Sequence, residues 1–126
     1  MRILLADDQP EVRSAMRLLL EQDPHFAVVG EVSGSDGLVA QAKETSSDVV
    51  LLDWELPGMR PSELLKSLHS ACPSVKVVGT SGRPEARRAA LATGVDAFVS
   101  KGDPPEQLLL TLRAIGGNGQ NGDGKG

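Results

Sequence analysis

The sequence lacks the features that mark secreted, membrane-spanning and nucleic-acid-binding chains. It contains one cysteine, Cys72, so it has no internal disulfide framework, and this favours a reducing compartment such as the cytoplasm. No apolar run approaches the ~18 residues of a membrane span. Charge appears at Asp7, too early for the core of a signal peptide. The net charge of −4 argues against a broad basic surface for nucleic acid.

Aromatic residues are scarce as well, at 2% with no tyrosine, so the core must consist mainly of leucine, valine, alanine and isoleucine. The 126 residues, 40% of them hydrophobic, are enough for one compact domain. Residues 116–126 contain no apolar residue and six of the fourteen glycines. We therefore expect a folded unit at residues 1–115, followed by a flexible tail or linker at residues 116–126.

Short apolar runs alternate with helical patterns through the folded unit. The runs that predict strands lie at residues 3–6, 26–29, 49–52, 75–78 and 97–99. Several are continuously apolar, which is typical of strands covered on both faces. Five strands that alternate with five helices predict an α/β fold, a doubly wound parallel sheet of the flavodoxin-like (βα)5 type with strand order 2-1-3-4-5.

Residues with strong helix-end preferences predict where several helices begin and end. Pro10 stands where a first helical turn favours proline. Ser35 is a plausible N-cap for the second helix, and Gly94 is a stop signal for the fourth.

Polar side chains follow four of the predicted strands. The carboxyl ends of neighbouring parallel strands share one edge of the sheet, where ligands bind in such folds, so these groups should converge. They are Asp7 and Asp8 after strand 1, Asp53 after strand 3, Thr80 and Ser81 after strand 4, and Lys101 after strand 5.

This set of groups indicates a site for a phosphoryl group. Three carboxylates in one cleft repel each other, and a hard divalent cation relieves that repulsion, with Mg²⁺ the default for oxygen ligands. Lys101 adds a fixed positive charge and Thr80 a hydroxyl donor. Asp53 is the best nucleophile candidate because it stands alone at the end of the central strand, whereas Asp7 and Asp8 are paired. A single aspartate here is more often a turn residue, but chance explains the whole set poorly.

The sequence resembles a two-component response regulator receiver domain over residues 2–115. The matching segments are ILLADD at residues 3–8, VVLLD at 49–53, LPGM at 56–59, VVGTS at 77–81 and GVDAFVSK at 94–101. The resemblance implies that Asp53 accepts a phosphoryl group from the phosphohistidine of a sensor histidine kinase. It also implies that Asp8 and Asp53 bind Mg²⁺ directly, that Asp7 binds it through water, and that the backbone carbonyl of Glu55 is a further ligand.

The remaining implied roles concern signalling. Thr80 would hydrogen-bond the phosphoryl group, Lys101 would pair with it, and Phe98 falls at the position of the switch aromatic. The face formed by helix 4, strand 5 and helix 5 would then change and control an output domain or partner, with transcription regulation expected. Such a domain catalyses only its own phosphorylation and dephosphorylation. DNA contact is expected only through an output domain outside this chain, no membrane partner is expected, and a phosphorylation-dependent homodimer is an option.

Several positions depart from the family pattern. Gly102 replaces the proline that often follows the lysine, which favours the branch with LuxR-type output domains. The stretch from Thr80 to Gly94 is about one residue short, so Ser81 stays a second candidate for the hydroxyl role. Glu55 places an extra carboxylate near the incoming phosphoryl group, where it could change the lifetime of the aspartyl phosphate.

Two other functional classes remain open. A phosphoaspartyl hydrolase with a similar sheet needs a second aspartate two residues after the nucleophile, where this chain has Glu55. A receiver that has lost its chemistry and serves only as an interaction module would not need the acids and the lysine that are all present here.

Overall fold

Five parallel strands form a single sheet at the centre of the molecule. The computed structural model describes residues 1–125, with side chains described through Gly116. Within residues 1–125 the strands follow the order β2-β1-β3-β4-β5, which confirms the predicted flavodoxin-like topology. The elements, in chain order, are β1 Arg2–Ala6, α1 Pro10–Glu21, β2 Ala27–Val32, α2 Leu38–Glu44, β3 Val49–Asp53, α3 Pro61–Ala71, β4 Lys76–Ser81, α4 Ala86–Thr93, β5 Ala97–Ser100 and α5 Pro105–Lys125.

The sheet separates two apolar cores. Along β1, Leu4 and Ala6 face the core beneath α2, α3 and α4, while Ile3 and Leu5 face the core beneath α1 and α5. Successive side chains of a strand point to opposite faces, so a strand covered on both sides needs apolar residues at every position. This requirement explains the continuous apolar runs in the sequence.

The helix boundaries follow the predicted signals except at α2. Pro10 is the first residue of α1, and Gly94, with φ of +122°, ends α4. The prediction of Ser35 as an N-cap was wrong, because α2 begins at Leu38 after Gly37, whose φ is +78°. The Ser35 hydroxyl instead accepts a hydrogen bond from the backbone N–H of Met59 over 2.8 Å, so it ties two loops together.

Helix α5 packs on β5, and its Leu108 and Leu112 are both buried in the core on that face of the sheet. Its Arg113 pairs with Asp23 over 2.9 Å, which fixes the helix to the loop after α1. No helix within residues 1–125 is both long and apolar enough to cross a membrane. The predicted flexible tail, residues 116–126, lies almost entirely outside the described side chains and stays a prediction.

We expect Leu112→Ala to destabilise the domain by about 2–5 kcal/mol, the usual cost of a cavity at a fully buried leucine. Leu110, on the same helix, is 57% exposed, and Leu110→Ala should change the free energy of unfolding by less than about 0.5 kcal/mol. Urea unfolding followed by circular dichroism measures both values. Similar losses in the two variants would mean that α5 is not anchored through Leu112.

Candidate phosphoacceptor and metal site

Three aspartates meet at the carboxyl edge of the central strands. Asp7 and Asp8 directly follow β1, and Asp53 is the last residue of β3. The parallel register pairs Ala6 with Leu52, so the residues that follow them, Asp7 and Asp53, lie side by side. One carboxylate oxygen from each aspartate lies within 4.8 Å of the others. The structure therefore brings together the acids that the sequence analysis singled out.

The three carboxylates differ in exposure. Asp7 and Asp53 are each only 2% exposed, whereas Asp8 is exposed. Backbone N–H groups hold the two buried carboxylates, from Gln9 to Asp7 Oδ1 over 2.9 Å and from Glu55 to Asp53 Oδ1 over 3.0 Å. Backbone hydrogen bonds thus fix the orientation of the Asp7 and Asp53 carboxylates, whereas Asp8 is exposed to solvent.

Lys101 supplies the positive charge of the site. Its Nζ lies 2.7 Å from Asp7 Oδ2 and 3.5 Å from Asp53 Oδ1, and it donates to Gln9 Oε1 over 3.3 Å. The lysine follows β5, and its side chain is 16% exposed. The peptide bond between Lys101 and Gly102 is trans. The ammonium group therefore reaches both buried carboxylates from the neighbouring strand end.

Burial and charge alter the proton affinities of these groups. Burial, followed by the charge of Asp7, raises the pKa of Asp53 above its ordinary value, although the Glu55 N–H and the Lys101 charge act in the opposite direction. Burial lowers the pKa of Lys101, but its contacts with Asp7 and Asp53 outweigh burial, so the net pKa is raised. The lysine is thus held in its charged form beside carboxylates that repel each other.

The donor set fits a hard divalent cation. The three clustered side chains all offer carboxylate oxygens, which are the ligands that Mg²⁺ prefers. Asp7 Oδ2 is buried and accepts no hydrogen bond of good geometry from the described residues, even though the Lys101 ammonium is close to it. This buried oxygen thus depends on positive charge nearby rather than on a backbone donor, which suits a cation site.

Thr80 stands on the same side of the sheet as Asp53. The two residues are direct register partners on β4 and β3, and partners in adjacent strands project to the same face. Thr80 is 2% exposed, and with Lys101 it lines a cavity of about 520 Å³ between α1 and α5. The hydroxyl role therefore fits Thr80 by position.

Ser81 points to the other face and is already engaged. Its hydroxyl donates to the Glu55 carboxylate over 2.9 Å and accepts from the backbone N–H of Arg83 over 3.0 Å. Arg83 Nη2 also pairs with Glu55 Oε2 over 2.9 Å. No local sequence pattern predicts this network, because Ser81 and Arg83 lie 26 and 28 residues after Glu55 along the chain.

Phe98 lies inside the domain beneath α4. It is 5% exposed and belongs to the core that contains Ala90. Gly79 on β4 lies against the ring, since a Cβ built there would be 3.4 Å from Phe98 Cδ2. The backbone carbonyl of Phe98 accepts a hydrogen bond from Arg87 Nη1 over 3.2 Å. The aromatic residue thus links β5 to α4.

Comparison with known proteins gives the same family by sequence and by structure. Residues 3–113 match the model of the response regulator receiver domain. The chain is 35% identical over 112 residues to the nitrate/nitrite response regulator protein NarL of Escherichia coli, covering 87% of this chain and 52% of NarL. It is 33% identical over 115 residues to the transcriptional regulatory protein YxjL of Bacillus subtilis, covering 90% of this chain and 53% of YxjL.

Solved structures agree with these relatives. A LuxR-family two-component response regulator from Aurantimonas superposes with a TM-score of 0.82 at 29% identity, covering 90% of this chain and 83% of that one. The isolated receiver domain of RcsB from Salmonella enterica superposes with a TM-score of 0.82 at 28% identity, covering 91% of this chain and 87% of that one. The chain spans about half the length of the curated relatives it matches. It belongs to the response regulator receiver domain family.

Proposed function

We propose that this domain is a phosphorylation-dependent switch that accepts a phosphoryl group from a histidine kinase onto Asp53. The observation that carries the proposal is the convergence of Asp7, Asp8 and Asp53 within 4.8 Å, with the Lys101 ammonium beside the two buried acids. An ordinary surface cluster of acids has no reason to bury two carboxylates and a lysine together.

The contacts of Asp53 support Oδ2 as its attacking oxygen. Its Oδ1 accepts the Glu55 N–H and lies 3.5 Å from Lys101 Nζ, which leaves Oδ2 to attack phosphorus. A bond then forms between Oδ2 and phosphorus, the phosphorus–nitrogen bond of the donor breaks, and its electron pair returns to the imidazole. Asp8, Asp53 and the Glu55 carbonyl would hold Mg²⁺ directly and Asp7 would hold it through water, and the ion would supply positive charge that neutralises the phosphoryl oxygens.

The new phosphoryl group brings about −1.5 to −2 charge and several strong acceptor oxygens. Lys101 is close enough to Asp53 to pair with those oxygens, and Thr80 presents a hydroxyl from the same face. Both residues gain an interaction that the unmodified protein does not offer. The modification therefore favours the conformation in which they reach it, since only a difference in affinity shifts a population.

The switch would be transmitted through α4. Phe98 packs beneath this helix, which contributes only small buried residues, Ala86 and Ala90, to the core. A helix with little large apolar anchoring is a low-stability element that can shift or repack at modest cost. We propose that the face formed by α4, β5 and α5 reports the phosphorylation state.

The partners follow from the relatives. NarL is named a response regulator, YxjL a transcriptional regulatory protein, and RcsB has been solved bound to promoter DNA. We propose that this domain likewise works with a sensor kinase and controls transcription through an output domain, with phosphorylation-dependent dimerisation as one route.

The hydrolase alternative is less well supported by the site. Its general acid would be Glu55, but this carboxylate is held by Ser81 and Arg83. A receiver without chemistry is also disfavoured, because the acids and the lysine are assembled rather than scattered.

Phosphorylation should depend on Asp53 and Mg²⁺. With acetyl phosphate and Mg²⁺, the intact mass of the wild-type protein should rise by one phosphoryl group, whereas Asp53→Asn should stay unmodified. Asp36→Asn, at an exposed loop position, is the matched control and should behave like wild type. A wild-type protein that gains no mass, or an Asp53→Asn variant that does, would overturn the proposal.

Asp53→Asn should also make the metal-free protein more stable at pH 7. Because the folded-state pKa of Asp53 is raised, its charged form is less favourable in the folded than in the unfolded chain, and this cost is present above the folded pKa. The stabilisation should shrink as the pH falls through that pKa, since the wild type then becomes protonated. Thermal melts in chelator at pH 7 and pH 4 test this, and an unchanged melting temperature at pH 7 would contradict it.

The two neighbouring hydroxyls should differ in effect. Thr80→Ala should slow phosphorylation about 10-fold or more, because it removes a hydrogen bond to a charged group. Ser81→Ala should change the rate by less than about threefold, since its hydroxyl bonds Glu55 rather than the site. Time courses of intact mass give both rates. The reverse order would assign the role to Ser81.

A further inference from the structure

Arg13, near the start of α1, joins the proposed metal site to strand β2. Its Nη1 donates a hydrogen bond to the backbone carbonyl of Asp7 over 2.6 Å, and its Nε donates to Glu31 Oε1 over 2.9 Å. The arginine side chain is only 17% exposed. A guanidinium group that donates along two edges has a defined orientation.

Glu31 holds this arginine from outside the site. Its second oxygen, Oε2, pairs with Arg17 Nη2 over 2.7 Å. Hydrogen bonding from Arg17, together with that from Arg13, lowers the pKa of Glu31 despite the opposing effect of burial. Glu31 therefore stays ionised at neutral pH, and Arg13 keeps its position whether or not the acids at the site are bound by a ligand.

The carbonyl that Arg13 binds belongs to the peptide between two proposed metal ligands. The N–H of Asp7 is fixed by the carbonyl of Val32 over 3.0 Å, and its carboxylate by Gln9. Asp8 is exposed, and the described hydrogen bonds hold Asp7 rather than the Asp8 carboxylate. The orientation of the Asp8 side chain therefore depends on the plane of the peptide bond between Asp7 and Asp8.

We infer that Arg13 is a positioning residue that sets the affinity of the site for Mg²⁺ by fixing the peptide between Asp7 and Asp8. This inference rests on the proposed function, since it assumes that the two acids bind the ion. Arg13 itself touches neither the phosphoryl group nor the reacting oxygen of Asp53.

Charge and positioning predict opposite results when Arg13 is removed. A nearby cation repels Mg²⁺, so loss of its charge alone should tighten metal binding. Loss of a group that orients a ligand should weaken it, and changes in such supporting residues typically cost about 10–100-fold in metal affinity. The sign of the change therefore separates the two effects.

The test is a Mg²⁺ titration of the whole chain, followed by the fluorescence of Trp54. This residue is the single tryptophan, half-buried and next to Asp53. We expect Arg13→Met to raise the Kd for Mg²⁺ about 10-fold or more. Arg88→Met, the control, removes the same charge from an exposed position of α4 that lies outside this network, so its Kd should stay within about twofold of wild type. An unchanged or lower Kd in Arg13→Met overturns the inference.

Arg13→Lys tests the positioning role if circular dichroism shows that Arg13→Met does not fold. Lysine keeps the charge but, as a single ammonium group, cannot donate along two fixed edges. Its Kd should also rise, and a wild-type Kd would overturn the inference. If Mg²⁺ changed neither the fluorescence nor the melting temperature of the wild-type protein, the proposed metal site itself would be contradicted. This outcome differs from an unchanged Kd in the Arg13 variants, which contradicts only the role of Arg13.

Discussion

The repulsion between two buried carboxylates is the constraint on which the rest of the site depends. Asp7 and Asp53 are held side by side by the register of β1 and β3, and the Lys101 ammonium contacts both carboxylates and offsets part of their charge. Folding has to oppose this repulsion, and the two leucine-rich cores supply the stability that does so. A cation bound among these carboxylates would relieve the same repulsion.

The loops around the site are joined to each other rather than left independent. Ser81, Glu55 and Arg83 connect the loop after β3 to the loop after β4, while the Ser35 hydroxyl connects the loop after β2 to Met59. These contacts join the loops on either side of Asp53 to one another. The loop that carries Arg83 leads directly into α4, so the same contacts reach that helix.

The fold and the main site residues could be predicted because they follow from local patterns. Continuous apolar runs specify strands covered on both faces, and a parallel sheet brings the ends of those strands, with Asp53 and Lys101, to one edge. Ser35 was wrongly assigned as a cap because Gly37 shapes the turn there and the serine hydroxyl serves a distant loop. The contacts of Arg13 could not be predicted, since they depend on how α1 is rotated over β1 and β2.

The hydrogen bond from Arg87 to β5 ends on the main chain of Phe98, not on its ring. Rotation of the aromatic side chain would therefore leave the tether between helix and strand intact. Packing beneath α4 and attachment of α4 to β5 thus depend on different parts of Phe98, because the ring fills the space beneath the helix and the main chain accepts the hydrogen bond.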